Sequence, residues 1–459
     1  MGTYILQTSW IKLFFVFLHI FTYQQILRPR PMFTTKESPF FRHIRTLFCG
    51  LKGYEAFDYA TLLLMAASMP IAWRLGMWAM IGVFCSSIFA TFISHKVGNN
   101  RTTLRYRIGF VLMMAFFCVY FCAGCYSQNQ TYGWSTTTGK LSFLIFPLSF
   151  LLCDRPYLNS RRIRMLFYTL GSVVIIRFLF GMVKVVVGLS QGVPLSSMME
   201  ENFIDMHHSY IALYASVAAG FGYSEIMHLV KKSRWGTRGW LLLLGVAIMA
   251  FTTVMVNSRA GMVFMAMLLV VGIVDYVVTR RTIVPALAVL MLTALIAVGV
   301  YQVIPKEYKR FTYAFNEIRA GRSGDCRPIM IRSGLEAAQG HELFGYGSGD
   351  YEEPLQQRFL ANGFQEGYDK KFGSHNQYIE TLLECGVVGL SIMIAMLLWP
   401  LFITRRNHPH RRLIYITVAA VMIEIFFESI LGRQMGILFV SYFYCLILEL
   451  SRNRCGDIA

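Results

Sequence analysis

The strongest constraint on this chain is a series of long apolar runs that are separated by short polar connections. Each run has about 17 to 25 residues, and a helix of that length crosses about 30 Å of hydrocarbon. With 55% apolar residues, the 459-residue chain has too little polar surface for a soluble protein with several buried helices. We therefore expect an all-α membrane protein with about 12 transmembrane helices.

Lysine and arginine mark the expected topology. They concentrate in alternate connections, among them 96–107, 154–164, 230–239 and 404–412, and the other connections are neutral, acidic or very short. This positive-inside pattern predicts a C-terminus in the cytoplasm. The net charge of +18 then follows from topology, so composition gives no reason to expect a nucleic-acid partner.

A polar stretch late in the chain predicts one large outer loop between the tenth and eleventh spans. A loop of this length is more often functional than decorative, and its single cysteine, Cys326, can close no disulfide within it. The expected segments are an interfacial or re-entrant segment with a basic cytoplasmic loop over 1–56, a transmembrane bundle of ten spans over 57–304, the outer loop over 305–376, two or three C-terminal spans over 377–450 and a cytoplasmic tail over 451–459.

The stretch HNQYIETLLECGVVG, residues 375–389, joins a titratable pair to the start of an apolar helix. The N–H groups and the dipole of a helix N-terminus favour anions, and Asn376 adds a neutral donor and acceptor beside His375. An interfacial anchor or a helix cap is the other interpretation of His375. If the protein performs chemistry, this junction between loop and membrane is where we expect it.

The rest of that stretch lies in the membrane. Gly386 and Gly389 are expected to allow close helix packing rather than chemistry. Glu384 lies a turn or more into the span, where an unpaired carboxylate is costly. We therefore expect Glu384 to have either a functional role or an arginine partner.

Two arginines need an explanation. The turn NSRAG around Arg259 requires small and polar residues, but the positive-inside bias gives no reason for a cation there, and snorkelling is the alternative to a function. Arg177 lies deepest in the membrane, within VVIIRFLFG. Its apolar surroundings imply an anionic partner, either Glu424 or Glu428 or a phosphate group.

The adjacent His207 and His208 open another span and could bind metal or hydrogen-bond a substrate, although the nearby carboxylates form a weak ligand set. Several cationic or titratable residues map to the outer face from distant parts of the sequence: His207, His208, Arg259, Arg327, Arg332, His375 and, as a further candidate, Arg433. A bundle could gather them around one cavity. Such a cavity suits an anionic amphiphile, and a diphosphate-linked lipid is the natural candidate.

Three stretches within residues 200–430 resemble the O-antigen ligase and polymerase superfamily of bacterial inner-membrane glycosyltransferases. The stretch from His375 to Gly389 is similar to the ligases' motif of His, Asn/Ser/Gln, nine residues, Gly, two residues and Gly. The turn around Arg259 is similar to the superfamily's Ser-Arg-small-Gly turn. The segment from Arg327 through HELFGYGSGDY resembles an Arg-bearing helix followed by a Pro-Leu-Phe-Gly-x-Gly turn, with Glu342 in place of the proline.

The resemblance implies that the outer loop and active site are periplasmic and that the protein is a multi-pass inner-membrane enzyme. A ligase would move a glycan from undecaprenyl diphosphate to a sugar hydroxyl of lipid A-core, without metal or other cofactor. A polymerase that extends lipid-linked repeat units of O-antigen or exopolysaccharide is the alternative, and a polysaccharide transporter is a third interpretation. The expected partners are the lipid-linked glycan, a lipid A-core or other glycan acceptor, and membrane lipid.

The resemblance also suggests roles for residues. Arg259, with Arg327 or Arg332, would bind the diphosphate and stabilise the charge that develops on the leaving oxygen. His375 would accept the acceptor's proton or, alternatively, orient the diphosphate. The expected catalytic residues are His375, Arg259 and Arg327, and the expected substrate-binding residues are Arg332, Asn376, His207, His208, Arg177 and Glu384.

Overall fold

A computed structural model describes residues 48–94, 104–199, 201–282 and 326–452, and these residues form helices without a β-strand. Seven of the described helices are long and apolar enough to cross a membrane. The expected all-α membrane fold is therefore confirmed. The expected N-terminal segment up to residue 47, the span over 283–304, the first part of the outer loop and the tail after 452 lie outside the described residues, so the total of twelve spans remains a prediction.

In chain order the helices are α1 (Gly53–Ser68), α2 (Trp73–Ser94), α3 (Leu104–Tyr126), α4 (Gln130–Gly139), α5 (Ser142–Leu152), α6 (Ser160–Ser190), α7 (Glu201–Ile204), α8 (His208–Lys231), α9 (Thr237–Met255), α10 (Arg259–Arg280), α11 (Arg327–Ala337), α12 (Glu352–Ala361), α13 (Gln365–Asp369), α14 (Gln377–Ile403), α15 (Arg411–Phe427) and α16 (Gln434–Arg452). Short 3₁₀ turns lie at Leu195–Met198 and Ile430–Gly432. Helix α11 begins at Arg327 with Pro328 in its first turn, as its sequence predicts.

Helix α8 is at the centre of the bundle. Its residues from Ser209 to Tyr223 are all buried, and it packs against α6, α9, α10 and α15. Small side chains allow this close approach. A Cβ at Gly220 would collide with Ile416 of α15, and one at Gly222 would lie 2.7 Å from Val246 of α9.

The basic connections at 154–164, 230–239 and 404–412 lie at one end of the bundle, which we term the basic end. Asp58 at the start of α1 accepts hydrogen bonds from the Arg155 guanidinium through both oxygens, at 2.7 and 3.2 Å, and both side chains are buried. Asp275 near the end of α10 binds Arg412 in the same bidentate way, at 2.6 and 2.9 Å. These pairs fix the helix ends that the basic connections join.

The opposite end, which we term the loop end, carries helices α11–α13. These short helices share an apolar core that continues onto the first turns of α14, formed by Met330, Ala337, Ala338, Tyr351, Leu355, Phe359, Ile379 and Leu383. A Cβ at Gly334 of α11 would collide with Ile379 of α14. The described part of the loop is therefore packed on the start of α14.

Helix α14 is broken at Gly386, whose backbone has φ 64° and ψ −166°. The segment 341–347 fills the break. Val387 N–H donates to the Glu342 carbonyl at 2.7 Å, and Tyr346 N–H donates to the Leu383 carbonyl at 2.8 Å. A Cβ at Gly386 would collide with the backbone of Leu343. Gly386 therefore provides a left-handed backbone and a close loop contact, whereas helix packing was the expectation.

Gly389 lies about one turn beyond the break, on the part of α14 that packs along α3. A Cβ there would collide with Cys385 Cβ of the same helix at 2.3 Å, whereas its 3.4 Å distance to Val119 of α3 would be an ordinary contact. The two glycines of one short motif therefore both serve the break in α14: Gly386 forms it, and Gly389 leaves room for Cys385, which precedes it.

Candidate active site

Four side chains from four parts of the chain meet at the loop end, and we term them the Glu428 cluster. Glu428 follows the last residue of α15 and is 13% exposed. Its carboxylate lies 3.0 Å from His375 Nδ1, 3.6 Å from Arg327 Nη2 and 4.0 Å from His208 Nε2. The cluster therefore brings together three of the predicted site residues around a carboxylate that was considered only as a partner of Arg177.

The local backbone explains how His375 reaches Glu428. His375 itself has a positive φ of 45°, which turns the chain into α14. Asn376 is the N-cap: its side-chain oxygen accepts from Ile379 N–H at 3.1 Å, and its amide donates to the Phe426 carbonyl at 3.0 Å. Asn376 therefore joins the start of α14 to the end of α15, and its role in substrate binding stays a prediction.

The pairing changes the protonation of both groups. The hydrogen bond to Glu428 raises the pKa of His375 above its ordinary value, against the opposing effect of burial. Burial would raise the pKa of Glu428, but the hydrogen bond and charge of His375, with the charges of His208 and Arg327, hold it below its usual range. The carboxylate is therefore charged, and it favours protonated His375.

The two arginines of α11 have different surroundings. Arg327 is the first residue of the helix, faces Glu428 and lies over the Phe427 ring at 5.6 Å. Arg332 is 72% exposed and pairs with Glu336 on its own helix at 2.8 Å. Five positions on a helix rotate a side chain by about 140°, which directs Arg332 away from the cluster. Of these two arginines, Arg327 is the one that contacts the Glu428 cluster.

The predicted histidine pair lies at the first turn of α8. The rings of His207 and His208 stack with centroids 4.3 Å apart, and His207 also approaches Tyr210 at 5.7 Å. His208 faces Glu428, while His207 faces a neighbouring cavity. Within residues 48–94, 104–199, 201–282 and 326–452, no three His, Cys, Asp or Glu side chains are arranged to hold a metal ion.

Arg259 begins α10 close to the same helix end. The Ser258 hydroxyl caps α10 by accepting from Gly261 N–H at 3.2 Å. A Cβ at Gly261 would lie 3.1 Å from Ala212, which is one turn after His208 on α8. This contact places the start of α10 beside the helix that carries the histidine pair. Arg259 is half-buried there.

A cavity of about 950 Å³, which we term the first cavity, opens beside the histidine pair. Its lining includes Trp73, Tyr132, Lys140, His207, Tyr210, Arg433 and Gln434. Lys140 is buried, donates to the Leu431 carbonyl and lies over the Tyr120 ring at 4.7 Å. Lys140 was not among the predicted site residues. It is nevertheless a cation outside the basic connections, which is the reason that Arg259 was predicted.

Two further predicted residues, Glu384 and Arg177, also lie outside the Glu428 cluster. Glu384 is buried in α14 two residues before the break, and it accepts a hydrogen bond from the Tyr120 hydroxyl at 2.6 Å where an arginine was one expectation. Arg177 donates to the backbone carbonyl of Ile204 in α7, whereas its expected partner Glu424 contacts Ser216 at 3.4 Å. Arg177 therefore contacts the segment that precedes the histidine pair.

The fold and the site define a multi-span membrane protein with a cationic, histidine-bearing cavity at one end of its bundle. Residues 244–394 match the family model described as O-antigen ligase, a range that includes Arg259, Arg327 and His375. This match confirms the resemblance to the O-antigen ligase and polymerase superfamily, whose members are glycosyltransferase-like ligases and polymerases.

The chain is also similar to a protein of Haemophilus influenzae that is described as uncharacterized. The two are 26% identical over 223 residues, which cover 45% of this chain and 54% of the relative. The chain thus spans about half the length of that relative. The relative carries no stated activity, so the family match and the geometry of the site are the basis for a function.

Proposed function

We propose that the protein is a ligase that moves a glycan from undecaprenyl diphosphate to a sugar hydroxyl of lipid A-core at the periplasmic face of the inner membrane. The observation that carries this proposal is the Glu428 cluster beside the first cavity. Arg327, His208 and His375 come from three distant segments and meet at Glu428. His207, which stacks on His208, lines the cavity of about 950 Å³. Cations and a titratable base beside a cavity are what transfer from a diphosphate requires.

The hydrogen bond to Glu428 gives His375 a defined orientation. In its neutral form, His375 would donate through Nδ1–H to the carboxylate, so Nε2 would carry the lone pair. Nε2 is then the atom that accepts the proton of the acceptor hydroxyl. A carboxylate that fixes the tautomer of a histidine base is also the arrangement of Ser-His-Asp hydrolases.

Transfer would proceed as a single displacement. The acceptor oxygen bonds to the anomeric carbon as its proton passes to His375, and the bond from that carbon to the diphosphate oxygen breaks. Diphosphate leaves with the electron pair, and Arg327 and Arg259 would stabilise its charge through charge-assisted hydrogen bonds. Attack from the face opposite the leaving group inverts the anomeric centre.

The depth of the cationic groups supports transfer over transport. A transporter usually binds its substrate near the middle of the bilayer. Here Arg327, His208 and His375 meet at helix ends, together with the described part of the loop. This arrangement favours a reaction at the membrane surface over passage through the bundle.

Reconstitution tests the proposal and its polymerase alternative together. Purified protein in proteoliposomes would receive a labelled undecaprenyl-diphosphate glycan, with or without lipid A-core, and products would be sized on a gel. Label on lipid A-core is the expected result. A ladder of longer lipid-linked glycan with lipid A-core untouched would replace the ligase by a polymerase, and no product in either arm would refute glycan transfer.

A further inference from the structure

A second cavity, of about 690 Å³, lies at the loop end apart from the Glu428 cluster. Its lining comes from the end of α3, the connection to α4 and the loop segment 341–354, and it includes Tyr126, His341, Tyr346, Asp350, Glu352 and Glu353. None of these residues has a role in the proposed displacement. The second cavity therefore requires a separate explanation.

Aromatic faces form part of this lining. The rings of His341 and Tyr346 stack with centroids 4.0 Å apart and an interplanar angle of 21°. Tyr126 is 46% exposed and also lines the cavity, with its hydroxyl donating to the Phe344 carbonyl. Exposed rings of this kind offer flat apolar surfaces with polar edges, which suit the C–H face of a pyranose.

Carboxylates and amides form the rest of the lining. Asp350, Glu352 and Glu353 give it an acidic character, whereas the first cavity contains Lys140 and Arg433. Carboxylates accept strong hydrogen bonds from hydroxyl groups and repel phosphates. Aromatic surfaces with hydroxyl-accepting groups suit an uncharged carbohydrate, and the acidic lining disfavours the diphosphate end of a lipid-linked donor.

The backbone around the cavity is fixed by specific contacts. Asp350 accepts from the N–H groups of Gln128 and Asn129 at 2.7 and 2.9 Å, and Gly349 N–H donates to Ser127 at 3.0 Å. Gly347 has a φ of 100°, and a Cβ there would meet the Ala123 carbonyl at 3.1 Å. The cavity wall is therefore preorganised, which lowers the entropy cost of binding a flexible glycan.

One hydrogen bond connects the walls of the two cavities. Tyr132 lines the first cavity, and its hydroxyl donates at 2.7 Å to Glu352, which lines the second. The two cavities therefore adjoin each other across the contact between Tyr132 and Glu352.

We propose that the second cavity is a distal subsite for an uncharged carbohydrate segment, several sugars away from the reacting end. This inference rests on the proposed function in that the segment belongs to the donor glycan or to the glycan acceptor. The subsite binds sugar hydroxyls and pyranose faces, contributes affinity for long glycans and leaves the chemical step unchanged. The subsite also fixes the direction in which the bound glycan lies, with its diphosphate at the Glu428 cluster and its neutral sugars at the second cavity.

Steady-state kinetics with substrates of different length test the subsite. His341→Ala and Glu353→Gln remove a ring and a carboxylate of the second cavity, and Glu366→Gln is a matched control, since Glu366 is exposed on α13 and pairs with Lys370. For a donor or acceptor of many sugars, each cavity variant should raise KM about three- to tenfold, as loss of one binding contact does, with kcat unchanged. Single-unit substrates and the control variant should behave as wild type.

Varying donor length and acceptor length separately identifies which glycan occupies the subsite. Equal effects of the cavity variants on short and long substrates, or no effect on any substrate, would overturn the proposal. A fall in kcat alone would also overturn it, because the subsite does not touch the reacting atoms.

Direct binding separates failure of the subsite from failure of the transferase proposal. Saturation-transfer difference NMR on protein in nanodiscs would use a neutral dextran hexasaccharide and an anionic galacturonate hexasaccharide. We expect signal from the neutral probe that His341→Ala weakens, and little signal from the anionic one. Stronger binding of the anionic probe, or neutral binding that His341→Ala leaves intact, would refute the subsite whether or not the protein transfers glycan.

Discussion

The two ends of the bundle differ in how carboxylates meet cations. At the basic end, Asp58 and Asp275 each bind one arginine with both oxygens, at distances between 2.6 and 3.2 Å. At the loop end, Glu428 alone faces His375, Arg327 and His208, two of them at 3.6 and 4.0 Å. Asp58 and Asp275 therefore form matched bidentate pairs, whereas Glu428 is shared by several positive or titratable groups.

This difference indicates which charged side chains stabilise the fold and which can bind a substrate. A matched bidentate pair has satisfied its hydrogen bonds and has little to offer to a ligand. A carboxylate that is shared by three partners, two of them at 3.6 and 4.0 Å, binds each of them less tightly, so an incoming anion can compete for them. The comparison therefore predicts that substitutions at the basic end change stability, whereas substitutions at the loop end change transfer.

The largest effect on transfer is expected at His375. His375→Ala removes the proposed base and its hydrogen bond to Glu428, and general-base catalysis contributes about 10²- to 10⁴-fold in rate. Initial rates of transfer in proteoliposomes should fall by that factor, while the detergent-solubilised protein keeps its melting temperature within a few degrees. Near-normal product would exclude both the base and the orienting role of His375.

The largest effect on stability is expected at the basic end. Asp58→Asn leaves the buried Arg155 guanidinium without its carboxylate, and breaking a buried ion pair in this way costs about 3–5 kcal/mol. The yield of folded protein and the melting temperature should both drop. Glu366→Gln breaks an exposed pair and is the control. Normal stability of Asp58→Asn together with lost transfer would reverse the comparison between the two ends.

Sequence patterns predicted the parts of this architecture that depend on local physics. The apolar runs over 209–229 and 378–403 located α8 and α14 within about two residues, because hydrophobic length and charge set where a span begins. Pro328 likewise indicated the start of α11. The family motifs selected His375, Arg259 and Arg327 as candidates, and the structure brings two of these together at Glu428.

Long-range contacts account for what the sequence did not reveal. The break at Gly386 exists because segment 341–347 supplies backbone partners to α14, about forty residues away in sequence. In the sequence, Glu428 is one of several carboxylates in or near predicted spans, and nothing there pairs it with His375. The pairing depends on the packing of α14 on α15 through Asn376. The helical repeat places Arg332 and Arg327 on different faces of α11. Which face is buried depends on the packing of α11 on α14, which the sequence did not reveal.

The pH dependence of transfer tests whether the shared carboxylate controls His375. Glu428 raises the pKa of His375, so Glu428→Gln should lower that pKa, and neutral His375 should then persist to lower pH. The acidic limb of the profile of kcat/KM against pH should therefore move to lower pH, even though the maximal rate falls as the orienting carboxylate is lost. A limb that stays in place or moves to higher pH would contradict the assignment of His375 as the base.

The smallest effect is expected at Arg332, and the contrast with Arg327 is the finest test of the comparison. Both are arginines of α11 and both were candidates for diphosphate binding, but Arg332 is 72% exposed and pairs with Glu336 on the solvent side. Arg332→Ala should keep the transfer rate within about twofold, as expected for an exposed pair. Arg327→Ala should lose at least about tenfold, because it removes a cation that faces the proposed leaving group.

Lysine substitutions at the same two positions separate geometry from charge. Arg327→Lys keeps the positive charge but loses the planar fork that binds two phosphate oxygens, so transfer should stay low. Arg332→Lys should behave as wild type. If Arg332→Ala were as damaging as Arg327→Ala, and lysine restored both, the total charge of the loop would be what matters. The loop end would then attract anions without a defined site, and the Glu428 cluster would lose its place in the mechanism.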